Sequence, residues 1–484
     1  MKNKVVVIGA GPGGYVAALR ASAMGGEVTV IEKENPGGTC LNWGCIPSKI
    51  MKTSADTYLR LLEAESFGIE IKDQSGGRGG VVFSPDINAI MARKEKILET
   101  QRKGILSLLQ NGKISYEKGR AYIKKEGIVT IDTDGNEKDI AFDSLIIATG
   151  TEPLDIPAFS FDGDAILSSN NLLSLKKLPE SIVIVGGGVI GCEFACILSA
   201  MGVKVTVVEA MSRLLPLPSV DESCSRVLQR EMKKRKIKFI TDQVVKSAEK
   251  KDGTLLITLE VSPFVEPGKA SKIKPQVLES EKMAVCIGRS PNTSGLGLEN
   301  IGLATDERGW IPVNERMETS VNGVYAIGDI LGPKRIMLAH VASHEGMVAA
   351  SNAMGVSEKM DYSAVPGAIF TMPEIGNVGL TEAEAVEKNI DVTCTTVNFR
   401  TLGKAQAMGE IAGEAKIVAE NKTGKVLGVH ITGPHATDLI AEGTLAVKAG
   451  LTVSDLAHTI HAHPTLAEIM SEAALKGAGM AIHG

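Results

Sequence analysis

The chain has 484 residues, room for about three domains at ~150 residues each, which excludes a small disulfide-stapled module. Apolar residues make up 44% and charged residues 23%, ordinary values for a soluble globular protein. With 52 Lys plus Arg against 57 Asp plus Glu the net charge is -5, so no basic excess suits nucleic acid or an anionic membrane. Any anionic ligand must be held locally.

No run approaches the ~18 apolar residues that span a bilayer. Seven cysteines, an odd number at irregular spacings, predict a reducing compartment and a cytoplasmic protein rather than a disulfide framework. Lys2 and Lys4 before an apolar run, with Ala21, Ser22 and Ala23 downstream, imitate a signal peptide. Gly9, Gly11, Pro12, Gly13 and Gly14 break that run where a continuous hydrophobic stretch is required.

In chain order, residues 5–32 read as a buried β-branched strand, a glycine turn, a helix with small residues inward and a second strand ending in an acid. Residues 182–209 repeat this unit at an offset of 177: Gly9, Gly11 and Gly14 fall on Gly186, Gly188 and Gly191, and Glu32 on Glu209. Such a βαβ unit uses its glycines for a tight turn, for backbone approach to a pyrophosphate and for helix-strand packing. Phosphate then sits at the helix N-terminus and the closing acid takes ribose hydroxyls. Two units predict two dinucleotides. At the second, Glu209 lies where a 2'-phosphate would be and the nearest following base is Arg213, which favours NAD over NADP.

Between the units lies GGTCLNWGCIPSK at 37–49. Positions five apart in an ideal helix are close to 9 Å apart at Cα, beyond the ~7 Å a disulfide tolerates, so a bridge from Cys40 to Cys45 would need a distortion. Gly44 and Pro47 mark the stretch as irregular before a helix running through Lys49 and Met51. Cys45 then lies near a helix N-terminus, where its thiolate is favoured and can leave readily in disulfide exchange. A helical insertion is expected over 89–110, and the polar stretches 72–80 and 262–274 are expected to be surface loops.

This segment resembles the redox-active motif of the FAD-dependent pyridine nucleotide-disulfide oxidoreductases, and the resemblance runs from Lys4 to about Gly479. It implies an α/β fold of two Rossmann-like domains plus an α+β dimerisation domain, and a Cys40-Cys45 disulfide beside a flavin. Trp43, where many relatives carry a smaller apolar residue, is a departure expected to affect packing there. The implied FAD site comprises Gly9, Gly11, Gly14, Glu32, Lys33, Gly38, Thr39, Lys49, Thr149, Gly150, Asp329, Leu338 and Ala339; the NAD site comprises Gly186, Gly188, Ile190, Gly191, Glu193, Glu209 and Gly288. The segments 145–150 and 284–289 resemble the family's two crossings between domains, and 324–329 its second flavin motif. Lys49 and Glu193 are implied to lie near flavin N5 and the nicotinamide, although taken singly each would be a solvated surface charge.

The last motif is HAHPTLAE at 461–468. On its own it reads as a helix start, with Pro464 at the first helical position and His463 as cap. Oxidising a dithiol needs a base titrating near neutrality, which imidazole supplies and a carboxylate orients. The resemblance implies a catalytic His463-Glu468 pair acting across a homodimer, with His461 the weaker candidate and no chemistry for His340. The implied domains are 1–150 for FAD, 151–283 for NAD, 284–360 completing the flavin region and 361–484 at the interface, with no lipoyl domain ahead of residue 1. No metal is expected.

The implied reaction is oxidation of a dihydrolipoyl group on a lipoylated protein, of a 2-oxo acid dehydrogenase complex or the glycine cleavage system, with reduction of NAD. An exposed Cys40 would exchange with the substrate and a buried Cys45 would face the flavin. Glutathione reductases would carry basic residues for NADP where Glu209 stands, and mercuric reductases a vicinal cysteine pair near the C-terminus, whereas the last cysteine here is Cys394. A non-catalytic nucleotide-binding scaffold subunit is a rival of another class, opposed by the intact Cys40, Cys45, His463 and Glu468.

Overall fold

A computed structural model describes residues 3–72 and 82–483, so the loop expected at 72–80 lies, past Lys72, outside the described residues. The β-branched run of β1 (Lys4–Ile8) is buried after its first residue and leads through Gly9 into α1 (Pro12–Ala23) and β2 (Glu27–Glu32). The strands pair in parallel from Lys4 opposite Glu27 to Ile8 opposite Ile31. Gly9 has φ +102°, and a Cβ there would lie 2.3 Å from the Ala148 carbonyl oxygen, so only glycine fits the turn. Next come α2 (Gly38–Trp43), α3 (Cys45–Leu62) and α4 (Ile87–Asn111). The expected insertion thus begins two residues early, because Asp86 accepts the N–H groups of Asn88 and Ala89 and caps the helix there. β3 (Ser115–Lys118) joins β2, an antiparallel meander of β4 (Arg120–Lys125), β5 (Ile128–Thr133) and β6 (Asn136–Ala141) follows, and β7 (Ser144–Ile147) returns beside β1.

A crossing strand, β8 (Thr151–Pro153), leads to β9 (Ile166–Ser168), the short α5 (Ser169–Leu172) and the second unit: β10 (Ser181–Val185), α6 (Val189–Ala200) and β11 (Lys204–Val208). The repeat is reproduced in three dimensions: β10 pairs with β11 from Ser181 opposite Lys204, Gly186 has φ +104°, and α6 has the limits of α1 moved by 177. α7 (Glu222–Lys234) and β12 (Lys238–Ile240) extend this unit. β13 (Gln243–Lys251), β14 (Thr254–Val261) and β15 (Gln276–Ser280) form an antiparallel flap. The 262–274 segment between β14 and β15 is largely exposed, as expected of a loop, but carries one helical turn, α8 (Pro267–Ala270). β16 (Lys282–Val285) gives the sheet order β12-β11-β10-β16-β9. The return crossing β17 (Arg289–Pro291) lies antiparallel against β8.

β18 (Val324–Ala326) pairs with β7 and completes the first sheet as β18-β7-β1-β2-β3. α9 (Ala339–Ala353) crosses α1 where a Cβ on Gly346 would lie 2.4 Å from the Gly13 carbonyl oxygen, so the backbones approach closely. The rest builds a separate core on one five-stranded antiparallel sheet: β19 (Gly367–Ile369), β20 (Glu374–Gly379), β21 (Val392–Asn398), β22 (Glu414–Glu420) and β23 (Val426–Gly433). The helices α10 (Glu382–Glu387), α11 (Gly403–Met408), α12 (Ala436–Ala449), α13 (Val453–His458) and α14 (Glu468–Gly477) intersperse and follow these strands. α14 starts at Glu468, so reading Pro464 as the first helical residue is corrected: the His463-Pro464 peptide is cis and lies in the irregular turn before the helix.

Candidate active site

Gly44, at φ -151° and ψ -109°, separates α2 from α3 and supplies the distortion required between the cysteines. Cys40 sits in α2 and Cys45 opens α3, both as free thiols whose side chains are in hydrogen-bond contact. That contact, assisted by the Lys49 charge and opposed by burial and by Glu193, brings the Cys45 thiol down to about 7. The same contact together with burial pushes Cys40 up. Cys45 is exposed at its helix end and Cys40 is half-buried within α2. Trp43 is partly exposed and its indole N–H donates to Glu34 Oε2 at 3.3 Å.

One turn into α3, Lys49 Nζ lies 3.0 and 2.9 Å from the two carboxylate oxygens of Glu193, which is buried in α6. Taken singly, these residues read as solvated charges; together they form an ion pair joining the redox helix to the second βαβ unit. Two features were missed from sequence: the Phe370 N–H donates to Glu193 Oε1 at 2.9 Å, and its ring lies 4.2 Å beneath the ammonium. Nothing around Phe370 in the sequence signals either contact.

The first glycine turn fits an FAD pyrophosphate. A Cβ on Gly14 would stand 1.9 Å from the Gly9 carbonyl oxygen, while Gly11 faces Gly38. α1 and α9 carry no side-chain caps, so their first N–H groups, including those after Leu338 and Ala339, remain available to an acceptor. Glu32 accepts the N–H groups of Ala10 and Glu34, each at 2.8 Å, which fixes its carboxylate beside the turn, and burial raises it. Lys33 is exposed and Thr39 and Gly150 half-buried, and Thr149 Oγ1 is buried without a hydrogen-bond partner among the described residues. Asp329, which burial raises against the influence of Arg289 and Thr151, accepts from Thr151 Oγ1 at 3.2 Å. Arg289 in turn donates to that hydroxyl and to the Thr151 carbonyl at 2.6 and 2.7 Å. This Thr151-Arg289 link between the two crossings was also missed, since the residues are 138 apart.

The second turn repeats the construction. Glu209 accepts the N–H groups of Gly187 at 2.6 Å and Met211 at 2.8 Å, the positions equivalent to Ala10 and Glu34. Gly186, Gly188 and Glu209 line a cleft of about 580 Å³ that reaches Ile287, next to Gly288. Ile190 is half-buried in the first turn of α6, and a Cβ on Gly191 would stand 1.9 Å from the Gly186 carbonyl oxygen. The Arg213 guanidinium is committed to the carbonyls of Leu215, Leu217 and Val220, while Glu209 lines the cleft.

His463 Nδ1 lies 2.8 Å from Glu468 Oε1, and Glu468 Oε2 accepts the Thr465 N–H. Burial would raise Glu468, but these two bonds outweigh it and hold the carboxyl low. The ring is exposed. His461 pairs with Glu442 at 2.9 Å, a second imidazole-carboxylate pair, and His340 meets the Pro366 carbonyl. Among the described residues no His, Cys, Asp and Glu cluster suits a metal, and no helix is long and apolar enough to cross a membrane.

A thiol pair between two dinucleotide cradles defines a nucleotide-dependent disulfide oxidoreductase. The chain belongs to the pyridine nucleotide-disulphide oxidoreductase family, whose model matches residues 3–346 and whose dimerisation-domain model matches residues 365–474. It is 40% identical over 480 residues to the dihydrolipoyl dehydrogenase of Chlamydia trachomatis, covering 99% of this chain and 97% of that one. It is also 40% identical over 490 residues to a dihydrolipoyl dehydrogenase of Bacillus subtilis, covering 99% and 98%. The crystal structure of LpdA from Mycobacterium tuberculosis superposes with a TM-score of 0.87 at 28% identity, over 98% of this chain and 99% of that one. The chain is accordingly an FAD- and NAD-dependent flavoprotein oxidoreductase with the dihydrolipoyl dehydrogenase reaction, and its dimerisation domain fits a homodimer.

Proposed function

We propose that the chain oxidises dihydrolipoamide carried on a lipoylated protein, with Cys40 and Cys45 cycling between disulfide and dithiol. The observation that carries this assignment is the Cys40-Cys45 contact with the Lys49-Glu193 pair one helical turn away. His463 of the partner subunit takes the proton of one substrate thiol. The resulting thiolate attacks Cys40, the disulfide opens, and Cys45 leaves as thiolate, the form its lowered pKa and the nearby Lys49 charge favour. The second substrate thiol then displaces Cys40 and closes the lipoamide ring, so the substrate is oxidised and the protein disulfide reduced. FAD, held by the residues named below, would supply the two-electron relay by which NAD is reduced to NADH and the disulfide restored.

Gly9, Gly11, Gly14, Glu32, Lys33, Gly38, Thr39, Thr149, Gly150, Asp329, Leu338 and Ala339 would hold FAD, together with Lys49, and Gly186, Gly188, Ile190, Gly191, Glu193, Glu209 and Gly288 would hold NAD. Glu468 orients the His463 ring. The domains on this reading are 1–150, 151–283, 284–360 and 361–484, the third contributing β18 to the first sheet. The protein acts in the cytoplasm on a 2-oxo acid dehydrogenase complex or a glycine cleavage carrier. Cys45→Ser is expected to abolish dihydrolipoamide-dependent NAD reduction while the protein stays yellow, and NADH is expected to expose two additional alkylatable thiols in wild type only. Retained turnover in the variant would refute the scheme.

A further inference from the structure

The NAD cleft has a wall that its glycine and acid motif does not explain. Segment 262–274 is fastened at both ends to the start of β13: the buried Ser262 donates its N–H to the Asp242 carbonyl at 3.0 Å, and Gln243 Nε2 donates to the Lys274 carbonyl at 3.0 Å. Lys269 pairs with Asp242 at 2.7 Å, and the Phe264 N–H donates to Ser262 Oγ at 3.3 Å. The loop is therefore held against Gln243, Val244 and Val245, which themselves line the cleft.

Phe264 lines the same cleft and is 70% exposed. Three more large apolar side chains that are exposed, Met211, Leu217 and Ile287, line it as well. Scattered exposed apolar residues need no explanation, but a group of them around one concavity marks a surface that a ligand covers. The position along the cleft says which part of the ligand. Pyrophosphate belongs at the uncapped N-terminus of α6 and the adenosine ribose at Glu209, so the group beyond Glu209, past Met211, is the base.

We propose that Phe264 forms an aromatic wall for the adenine of NAD, making the 262–274 loop an adenine-recognition element of this chain. The inference rests on reading this cleft as the NAD site. The loop lies outside the βαβ unit, so this contact comes from an element that the dinucleotide motif does not specify.

The test is calorimetric titration of the purified, FAD-loaded protein with NAD and with ADP-ribose, which has the adenine but no nicotinamide. Phe264→Ala is expected to weaken both by the same factor, about three- to tenfold, the range of an aromatic contact. Phe264→Trp should bind both within about twofold of wild type, which keeps a ring at the position. Oxidation of reduced nicotinamide mononucleotide, which lacks adenosine, should be equal in all three proteins. Unchanged NAD and ADP-ribose affinity in Phe264→Ala, with wild type binding both, would overturn the role of Phe264 and leave the cleft assignment standing. Failure of wild type itself to bind NAD would remove the cleft assignment and this inference with it.

Discussion

Lys49 Nζ sits within 3.0 Å of both carboxylate oxygens of Glu193, across 144 residues of sequence. The pair ties the helix opened by Cys45 to the helix that begins the second dinucleotide cradle. The Cys40 hydrogen bond is the largest influence on Cys45, with Lys49 lowering and Glu193 raising its pKa. Glu193→Gln should therefore shift thiolate formation at Cys45 to lower pH, and Lys49→Met to higher pH. The pH dependence of Cys45 alkylation in the reduced protein reads both shifts, and a move in the same direction for the two variants would contradict this electrostatic account.

Gly188 and Gly191 of the second cradle should fail in different ways. A Cβ at Gly188 meets nothing within 4 Å, whereas one at Gly191 would collide with the Gly186 carbonyl oxygen. Gly188→Ala is thus expected to keep its melting temperature and its flavin while losing NAD affinity by at least about tenfold, as backbone approach to the pyrophosphate is blocked. Gly191→Ala should lower the melting temperature as well. Thermal melts with parallel NAD titrations separate the two effects.

Arg213 is bound to three backbone carbonyls, and no Lys or Arg lines the cleft among the described residues, so removing Glu209 provides no cation there for a 2'-phosphate. Glu209→Ala should reduce kcat/KM for NAD by about tenfold, roughly the 1.4 kcal/mol of a charge-assisted hydrogen bond. Efficient use of NADP by this single variant would show that another base serves the site.

Lys416 on β22 and Asp221 at the start of α7 form a pair at 3.0 Å with both side chains buried. Lys416→Met leaves the Asp221 carboxylate buried with its partner gone, at a cost of about 3 kcal/mol. Burial would raise Asp221, but Ser223 and Lys416 outweigh it and hold its carboxyl well below the usual range. A depressed carboxyl stabilises the fold above its unfolded pKa of about 3.9 and loses that contribution as pH falls through the folded value. The gap in melting temperature between wild type and Lys416→Met should therefore be full at neutral pH and narrow in strong acid.

His463 and Glu468 are five residues apart, and their contact closes within one turn of chain. Glu468→Ala should slow reduction of the protein by dihydrolipoamide by about a hundredfold, the lower end of general-base catalysis, with NADH-driven reduction unaffected. Stopped-flow measurement of the two half-reactions checks this, and equal slowing of both would remove the assigned role.

The 177-residue repeat, the Gly44 break between the cysteines and the His463-Glu468 pair were legible in the sequence because each is set over a few neighbouring residues. Gly9 and Gly186 adopt positive φ values open to glycine and closed to most side chains, and β-branched runs before them leave little alternative to buried parallel strands. Misreadings were local too: Pro464 resembles a helix start, but the turn before Glu468 is irregular, and Asp86 extends the insertion helix by capping it earlier. What the tertiary structure alone decided are the meetings of distant residues: Lys49 with Glu193 and Phe370, Arg289 with Thr151, and Phe264 with the Glu209 cleft. A charge or a ring carries no periodic signature, so its partner is chosen only when the sheets and helices pack to bury their apolar faces.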